Sequence, residues 1–510
     1  MLLLKRYGLD VEPITFDTMI AEWVINPDSR NLGLKNLAWI RLNYEMTHIE
    51  SLIGKGKSQI SMRDVEVSKA AAYAVADAVI SFQLMSELES DLIKTNSKEI
   101  FDKIEIPLIS VLADMEFLGI KLDKDFFINF SKELDTRLFS LEDQIYKLVG
   151  EPFNLNSTQQ LSEVLFKRLE LEPPDRARKT SSGFLSTAAN ILEDMRGQHE
   201  VVDLILEYRE LSKLKSTYVD SLPNQINPKT DRVHTSFNQT GTVTGRIASS
   251  DPNLQNIPTR TDLGRKVRLG FIAEPDHVLI AIDYSQIELR IVAHMANDKA
   301  MLEAFQKGQD IHATTAAAIF NVPLEQVTKN QRRHAKAINF GLIYGMSAFG
   351  LTRSTELTLA ESEDFVKAYF ERFPGIKEWL INTRKLASSQ GYVETLLGRR
   401  RYFPNLKSGT NYNLRQREER EAINAPIQGT AADIIKLAML HLPPELRKAN
   451  LRAKLLLQVH DELILEVPQS EIAQTATLVQ KVMANAYQLK VPLLTEARVG
   501  TSWGKLEIVD

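Results

Sequence analysis

Two carboxylates and one run of regularly spaced residues carry the side chains from which chemistry can be built. Asp283 closes the apolar run VLIAID, and Asp461 stands inside a second apolar segment, AKLLLQVHDELILEV (453–467). Each is a carboxylate presented at the edge of a sheet, where a lone acid is usually a turn former and only its context makes it a ligand. The stretch RRHAKAINFGLIYG sets Arg332, Lys336, Phe340 and Tyr344 four residues apart. On a helix each such step overshoots a full turn by only about 40°, so the four share one face. Arginine grips two phosphate oxygens at once and lysine acts as a mobile point charge. A ring further along stacks on a base without reading it. About 12 residues of helix extend roughly 18 Å, the reach from triphosphate to base. Taken alone, the same stripe also describes a solvated cationic face running into core aromatics.

These residues need elements to hold them. HVLIAID (277–283) and the segment 453–467 are expected to be buried strands, the second a hairpin with polar residues at its tip. The residues between them, about 300–435, are mostly helical in pattern, so one sheet is built from distant parts of the chain. Upstream, Phe127, Phe130, Leu134, Leu138, Leu141, Ile145 and Leu148 recur at spacings of three and four and predict a long amphipathic helix. The helical pattern begins near residue 105 and lasts to about 220. There INPKTDRVHTSFNQT brings turn residues.

With 510 residues the chain is too long for one ordinary core. Its 62 Lys and Arg against 66 Asp and Glu leave a net charge of −4, so any polyanion must be met by a local patch. The absence of cysteine excludes disulfides, thiolate zinc sites and thiol nucleophiles. MLLLKRYGLD is too short an apolar start for a signal peptide or membrane span, which points to a cytoplasmic protein with no membrane partner.

DYSQIELR (283–290), RRHAKAINFGLIYG (332–345) and QVHDE (458–462), in this order, closely resemble the three polymerase motifs of family A, the DNA polymerase I family. The resemblance extends through TGRIASSDPNLQNIP (244–258), GQDIHATTA (308–316), GYVETLLGRRRYFPN (391–405) and EREAINAPIQGTAADIIK (419–436), and covers residues 105–510. It implies an α+β multidomain fold, a right-hand polymerase with helical thumb, antiparallel-sheet palm and helical fingers. The expected division is thumb 105–220, palm 221–300, fingers 301–435 and palm again 436–510. It also implies template-directed addition of deoxynucleotides to a primer 3′-hydroxyl with release of pyrophosphate. Primer-template DNA and deoxynucleoside triphosphates are the implied partners of a monomeric enzyme. Two Mg²⁺ ions, with Mn²⁺ as a possible substitute, are the implied cofactors.

Residue by residue, the resemblance makes Asp283 and Asp461 the metal-binding pair, with the Tyr284 carbonyl as a further ligand and Glu462 as an auxiliary acid. Arg332 and Lys336 hold the triphosphate, and His312 completes the cationic pocket. Lys336 protonates the departing pyrophosphate. Phe340 packs on the incoming nucleotide and Tyr344 sits at the template side. Glu288 crowds the sugar 2′ position, and Gln286 belongs to the same nucleotide pocket. Phe340, where some relatives carry Tyr, implies discrimination against dideoxynucleotides. Arg246, Asn424, Gln428 and His460 match positions at the primer terminus, where minor-groove acceptors are alike on every correct pair. Arg260 is expected to contact a phosphate, and Lys213 and Lys215 to grip duplex backbone at the thumb tip. Gly341 and Gly345 either admit the template base or simply weaken a helix end.

Residues 1–104 resemble the C-terminal part of a 3′-5′ exonuclease domain through ITFDTMIAEWVIN (14–26), IGKGKSQ (53–59) and YAVAD (73–77), in which Tyr73 and Asp77 match the third exonuclease motif. The family's other metal-binding acids lie upstream of the first residue here. The triplets Asp10 to Glu12 and Asp64 to Glu66 fall in the wrong order to replace them. A truncated, exonuclease-like platform without proofreading is the expectation, since one carboxylate cannot hold two metal ions. A 3′-5′ nuclease and a non-catalytic DNA-binding protein are the alternatives.

Overall fold

The computed structural model describes residues 2–9, 13–259, 261–355, 357–406 and 411–509. The first hundred residues are helical, led by α1 (Thr18–Ile25), which Asp17 caps by accepting from the Ile20 amide, and the long α2 (Val67–Lys94). Next come α3 (Ile106–Leu118), the short strand β1 (Ile120–Leu122), α4 (Lys124–Val149) and α5 (Glu200–Leu214). The apolar stripe of α4 behaves as its spacing requires, with Phe127, Phe130, Leu134, Leu141 and Ile145 buried.

Strands β2 (Arg232–Val233), β3 (Phe271–Ile272) and β4 (His277–Tyr284) follow, then α6 (Ile287–Ala296), α7 (Ile311–Phe320), α8 (Lys329–Ile343) and the 37-residue α9 (Tyr412–Lys448). The chain closes with β5 (Lys454–Val459), β6 (Glu462–Pro468), α10 (Ile472–Ala484), β7 (Thr495–Ser502) and β8 (Lys505–Ile508). The main sheet runs β2-β1-β3-β7-β4-β6-β5, with β8 on β7. Its neighbouring strands are antiparallel, and β6 pairs with β4 from Glu462 opposite Asp283 to Pro468 opposite His277. Distant strands thus meet in one sheet, as the two apolar runs require.

The pleat of β4 explains why its sequence is apolar throughout. Ile280, Ile282 and Tyr284 enter the core that contains residues of α6, α9 and α10, whereas Leu279 and Ala281 enter the core shared with α4 and α5. A strand covered on both faces has no polar alternation. Asp283 points the same way as Leu279 and Ala281, one step beyond the end of their core.

The boundaries expected at 104/105 and 435/436 fall inside helical segments. Residue 435 lies within α9, and residues 104 and 105 lie in a one-turn π segment (101–105) leading into α3. The span read as a purely helical thumb also contributes β1 to the sheet. Among the described residues no helix is long and apolar enough to cross a membrane.

A buried set of four charges ties the N-terminal helices to the rest. Glu105, at the head of α3, accepts from Lys436 Nζ at 2.7 Å and from Arg399. Arg399 in turn donates to Asp433 through Nε at 2.9 Å and Nη2 at 2.7 Å. Burial pushes the Glu105 carboxyl up, but the Lys436 ammonium and Arg399 guanidinium outweigh it and hold the group down at about 2. Two acids and two bases leave the set neutral, the condition under which charges survive burial.

Candidate active site

The acidic centre is built at one end of the sheet. Asp283 is flanked across the ladder by Glu462 on β6 and Glu496 on β7, which puts three carboxylate-bearing residues side by side. The β5–β6 turn contains only His460 and Asp461, with His460 at a φ of 55°, and the Tyr284 amide donates to the Asp461 carbonyl over 3.2 Å. The turn therefore carries Asp461 to the end of β4, beside Asp283. Burial, followed by the Glu462 carboxylate, pushes Asp283 up to about 6. Burial, followed by the carboxylates of Glu288 and Asp283, pushes Asp461 up to about 6 against the pull of Arg246. Burial also raises Glu462, opposed by Arg268, whose guanidinium lies 4.0 Å away and stacks on Trp503 at 3.9 Å. Hard oxygen donors that repel one another in a part-buried cleft suit a divalent cation such as Mg²⁺. The Tyr284 hydroxyl, by contrast, is buried and donates to the Met483 carbonyl at 2.7 Å, so only its backbone is near the centre.

A sharp turn connects β4 to α6. Gln286 takes a φ of 55°, and the buried Arg290 donates to the carbonyls of Ser285 at 2.9 Å and Pro492 at 2.7 Å. That turn leaves Glu288 in the first turn of α6, where the helix dipole favours an anion. Glu288 accepts from Arg246 Nη2 at 2.9 Å and from the Tyr344 hydroxyl. Burial and then Glu288 raise the Tyr344 phenol well above the usual range, while Gln428 lies within hydrogen-bond reach of it.

Helix α8 starts at a reciprocal cap. Thr328 Oγ1 accepts from the Gln331 amide at 3.2 Å and the Gln331 side chain accepts from the Thr328 amide at 2.9 Å. Its buried face carries Ala335, Ile338, Asn339, Leu342 and Ile343, which leaves Arg332 and Lys336 exposed and Phe340 half-buried on the other face. Tyr344 caps the C-terminus, and Gly345 follows with a φ of 72°. The stripe therefore runs from exposed cations to rings that pack against the edge of the core. Gly341 has a packing cause, because a Cβ there would stand 3.0 Å from Leu351 Cδ2 and 3.2 Å from Met346 Sδ.

Three expected site residues stand in surroundings that their spacing does not reveal. His312 is buried and accepts an Asn339 side-chain hydrogen bond on Nδ1 at 3.0 Å; burial, followed by Arg332 and Lys336, pushes it down to about 4. It is a neutral donor near pH 7 and adds no positive charge to the pocket. Lys213 lies in the last turn of α5 and Lys215 caps it, close to Tyr218, whose hydroxyl donates to the Asn256 carbonyl at 2.7 Å. Lys215 is already paired with Asp220 at 2.8 Å and Asp135 at 3.2 Å, whereas Lys213 is exposed and lines a cleft of about 870 Å³ with Asn253 and Asn256.

The remaining expected contacts are distributed around the same centre. Asn424 and Gln428 lie one turn apart on α9, both half-buried, with Asn424 Oδ1 lacking a partner among the described residues. His460 is solvent-exposed beside Asp461. Arg260, like Asp10 to Glu12, lies outside the described residues. Tyr73 and Asp77 are one turn apart on α2, far along the chain from this centre, and the Tyr73 ring takes the Lys35 ammonium at 4.9 Å. Sequence reasoning missed Asp310, Glu496 and Arg268. Asp310 had a visible signal as the helix-capping acid two residues before His312, whereas Glu496 depends on where β7 inserts.

Comparison with known proteins agrees with this geometry. The profile of DNA polymerase family A matches residues 124–505, and that of a 3′-5′ exonuclease matches residues 1–93. A DNA polymerase I from Chloroflexus aurantiacus is 45% identical over 99% of this chain and 54% of its own length. One from Geobacillus stearothermophilus is 43% identical over 98% of this chain and 56% of its own. The chain thus spans about half the length of these curated relatives. The POL domain of Pol1 from M. smegmatis, solved in complex with DNA primer-template and dNTP, superposes with a TM-score of 0.88 at 36% identity, covering 98% of this chain and 84% of that one. With its polymerase motifs gathered at one end of an antiparallel sheet and preceded by part of an exonuclease domain, the chain belongs to family A of the DNA polymerases.

Proposed function

We propose that this chain extends a DNA primer on a template, adding deoxynucleotides to the 3′-hydroxyl and releasing pyrophosphate. The observation that carries the reading is the convergence of Asp283 and Asp461 at one sheet edge, with Glu288 linking that edge to Tyr344 at the end of α8. Phosphoryl transfer of this kind depends on positioning and charge stabilisation more than on covalent catalysis.

Asp283 and Asp461, with the Tyr284 carbonyl, would hold a pair of Mg²⁺ ions, or Mn²⁺ in their place, and these supply charge neutralisation at the phosphates. The chain's own groups do the rest. Arg332 and Lys336 bind the triphosphate from the exposed face of α8, and neutral His312 donates a hydrogen bond to it. Lys336 gives a proton to the departing pyrophosphate, and Phe340 and Tyr344 confine the nucleotide. Gln286 and Glu288 form the sugar side of the pocket. Arg246, Asn424, Gln428 and His460 meet the minor groove at the primer terminus, Lys213 and Arg260 bind backbone phosphates, and Glu462 supports the acidic pair. Rotation of α8 toward the sheet closes the site over a correct nucleotide.

The N-terminal region, which carries Tyr73 and Asp77 of an exonuclease motif on α2, serves the polymerase as a platform. Extension of a labelled primer with Mg²⁺ and deoxynucleotides tests the main reading, and its retention in Asp283→Ala or Asp461→Ala would refute it. Release of nucleotides from a single-stranded 3′ end, lost in Asp77→Ala, would refute the platform.

A further inference from the structure

The segment Thr242–Arg246 is a strap between the exonuclease-like helices and the candidate active site. At its start, the Thr242 carbonyl accepts from the indole Nε1 of Trp23 on α1 at 2.8 Å, and Thr242 Oγ1 donates to the Arg246 carbonyl at 2.7 Å. In its middle, a Cβ on Gly245 would stand 2.5 Å from Arg399 Nε, and Gly245 has a φ of 86°. Only glycine lets the backbone lie this close to the guanidinium stem. α9 also comes close, because a Cβ on Gly429 would stand 3.2 Å from the Thr244 carbonyl. At its end, Arg246 reaches Glu288 at 2.9 Å.

The clamp on this strap is assembled from three regions. Trp23 is 1% exposed and its ring lies 5.0 Å from the Arg399 guanidinium and 5.1 Å from the Lys436 ammonium. Those cations belong to the buried four-charge set, which Gln239 joins by donating to Glu105 at 2.8 Å, and Thr395 by donating to Asp433 at 2.8 Å. Each charge has its counter-charge, so the set is rigid as long as all its partners stay in place. The indole is the one member that both covers the cations and holds the strap by a hydrogen bond.

We propose that Trp23 is a positioning residue of the polymerase site: through its hydrogen bond to Thr242 and its contact with Arg399 and Lys436, it aims Arg246 at the primer terminus. This rests on the assignment of Arg246 to that terminus. It gives the exonuclease-like helices a part in nucleotide addition that does not depend on any nuclease activity.

Trp23→Phe is the discriminating variant in the full chain, because it keeps a six-membered ring near the cations while removing the N–H donor along with the pyrrole part of the indole. The expected result is a fall of about 3- to 10-fold in kcat for extending a matched primer, the size of one lost hydrogen bond. KM for the nucleotide stays unchanged, because Arg332 and Lys336 are on a different element. In an Arg246→Ala background, Trp23→Phe adds no further loss. Equal loss in both backgrounds, or a lowered melting temperature with kcat unaltered, overturns the inference. Should Phe at position 23 prevent folding, Gln239→Glu, which perturbs the charge set without touching the strap's hydrogen bond, is measured in the same cycle and must also lose its effect without Arg246. If Arg246→Ala leaves primer extension intact, the assignment of Arg246 itself fails and takes this inference with it.

Discussion

Arg332 Nε donates to the Asp310 carboxylate over 2.6 Å, joining the first residue of the α8 stripe to the residue that caps α7. A phosphate arriving at Arg332 must therefore compete with a carboxylate already in place. Both side chains are well exposed, so the pair contributes only about 0.2–1 kcal/mol. Asp310→Asn keeps the helix cap, because asparagine caps as well as aspartate. The expected outcome is a KM for deoxynucleotides lowered about 1.5- to 5-fold, with a larger change at low salt. A raised KM in steady-state kinetics would show instead that Asp310 orients Arg332 for binding.

His312 makes stability depend on pH. Its folded-state value is pushed down from 6.5 to about 4, so between these values the unfolded chain takes up the proton first. The contribution is intact above 6.5 and is lost as pH falls toward about 4. Urea midpoints at pH 7 and pH 5 should therefore differ more for the parent protein than for His312→Gln. Identical shifts in the two would remove His312 as the cause.

Glu288→Ala deprives Arg246 of its ion-pair partner and the Tyr344 hydroxyl of its acceptor. It also opens the space beside the sugar. We expect the preference for deoxynucleotides over ribonucleotides, measured as a ratio of kcat/KM values, to fall roughly 10- to 100-fold, the range for a hydrogen bond to a charged group. An unchanged ratio would rule out Glu288 as the sugar gate.

Phe340 is half-buried between His312, at 5.9 Å between ring centroids, and Tyr344, at 6.5 Å. A hydroxyl added by Phe340→Tyr can stand in for the missing 3′-hydroxyl of a dideoxynucleotide. Competition assays should show discrimination against dideoxynucleotides relaxed by about 10-fold, the upper range for one neutral hydrogen bond. Equal use of both nucleotide types by the parent protein would contradict the idea.

Local pattern was enough to read much of this site. VLIAID and the 453–467 hairpin are strands because β-branched and aliphatic runs of that length, ended by polar residues, have few other ways to be buried. The four-residue spacing on α8 put Arg332, Lys336, Phe340 and Tyr344 on one face, since 3.6 residues per turn leaves no other arrangement. The order of the motifs was enough to name the family.

Other features depend on which elements meet, and short-range pattern does not contain that. Glu496 flanks Asp283 only because β7 inserts beside β4, far from it in the chain. His312 looks like a cation in sequence, but burial, followed by Arg332 and Lys336, pushes its pKa down to about 4. Lys215 looks like a free cation in sequence, whereas the fold pairs it with Asp135 and Asp220. Trp23, Glu105, Arg399, Asp433 and Lys436 are scattered over more than four hundred residues, and nothing in their spacing announces a cluster. The sequence by itself determined the strands, the helix face and the candidate site residue types, because these follow from periodicity and side-chain chemistry. Only the tertiary structure decided which charges are paired, which are neutralised and what aims Arg246, because burial and Coulomb interactions act across space rather than along the chain.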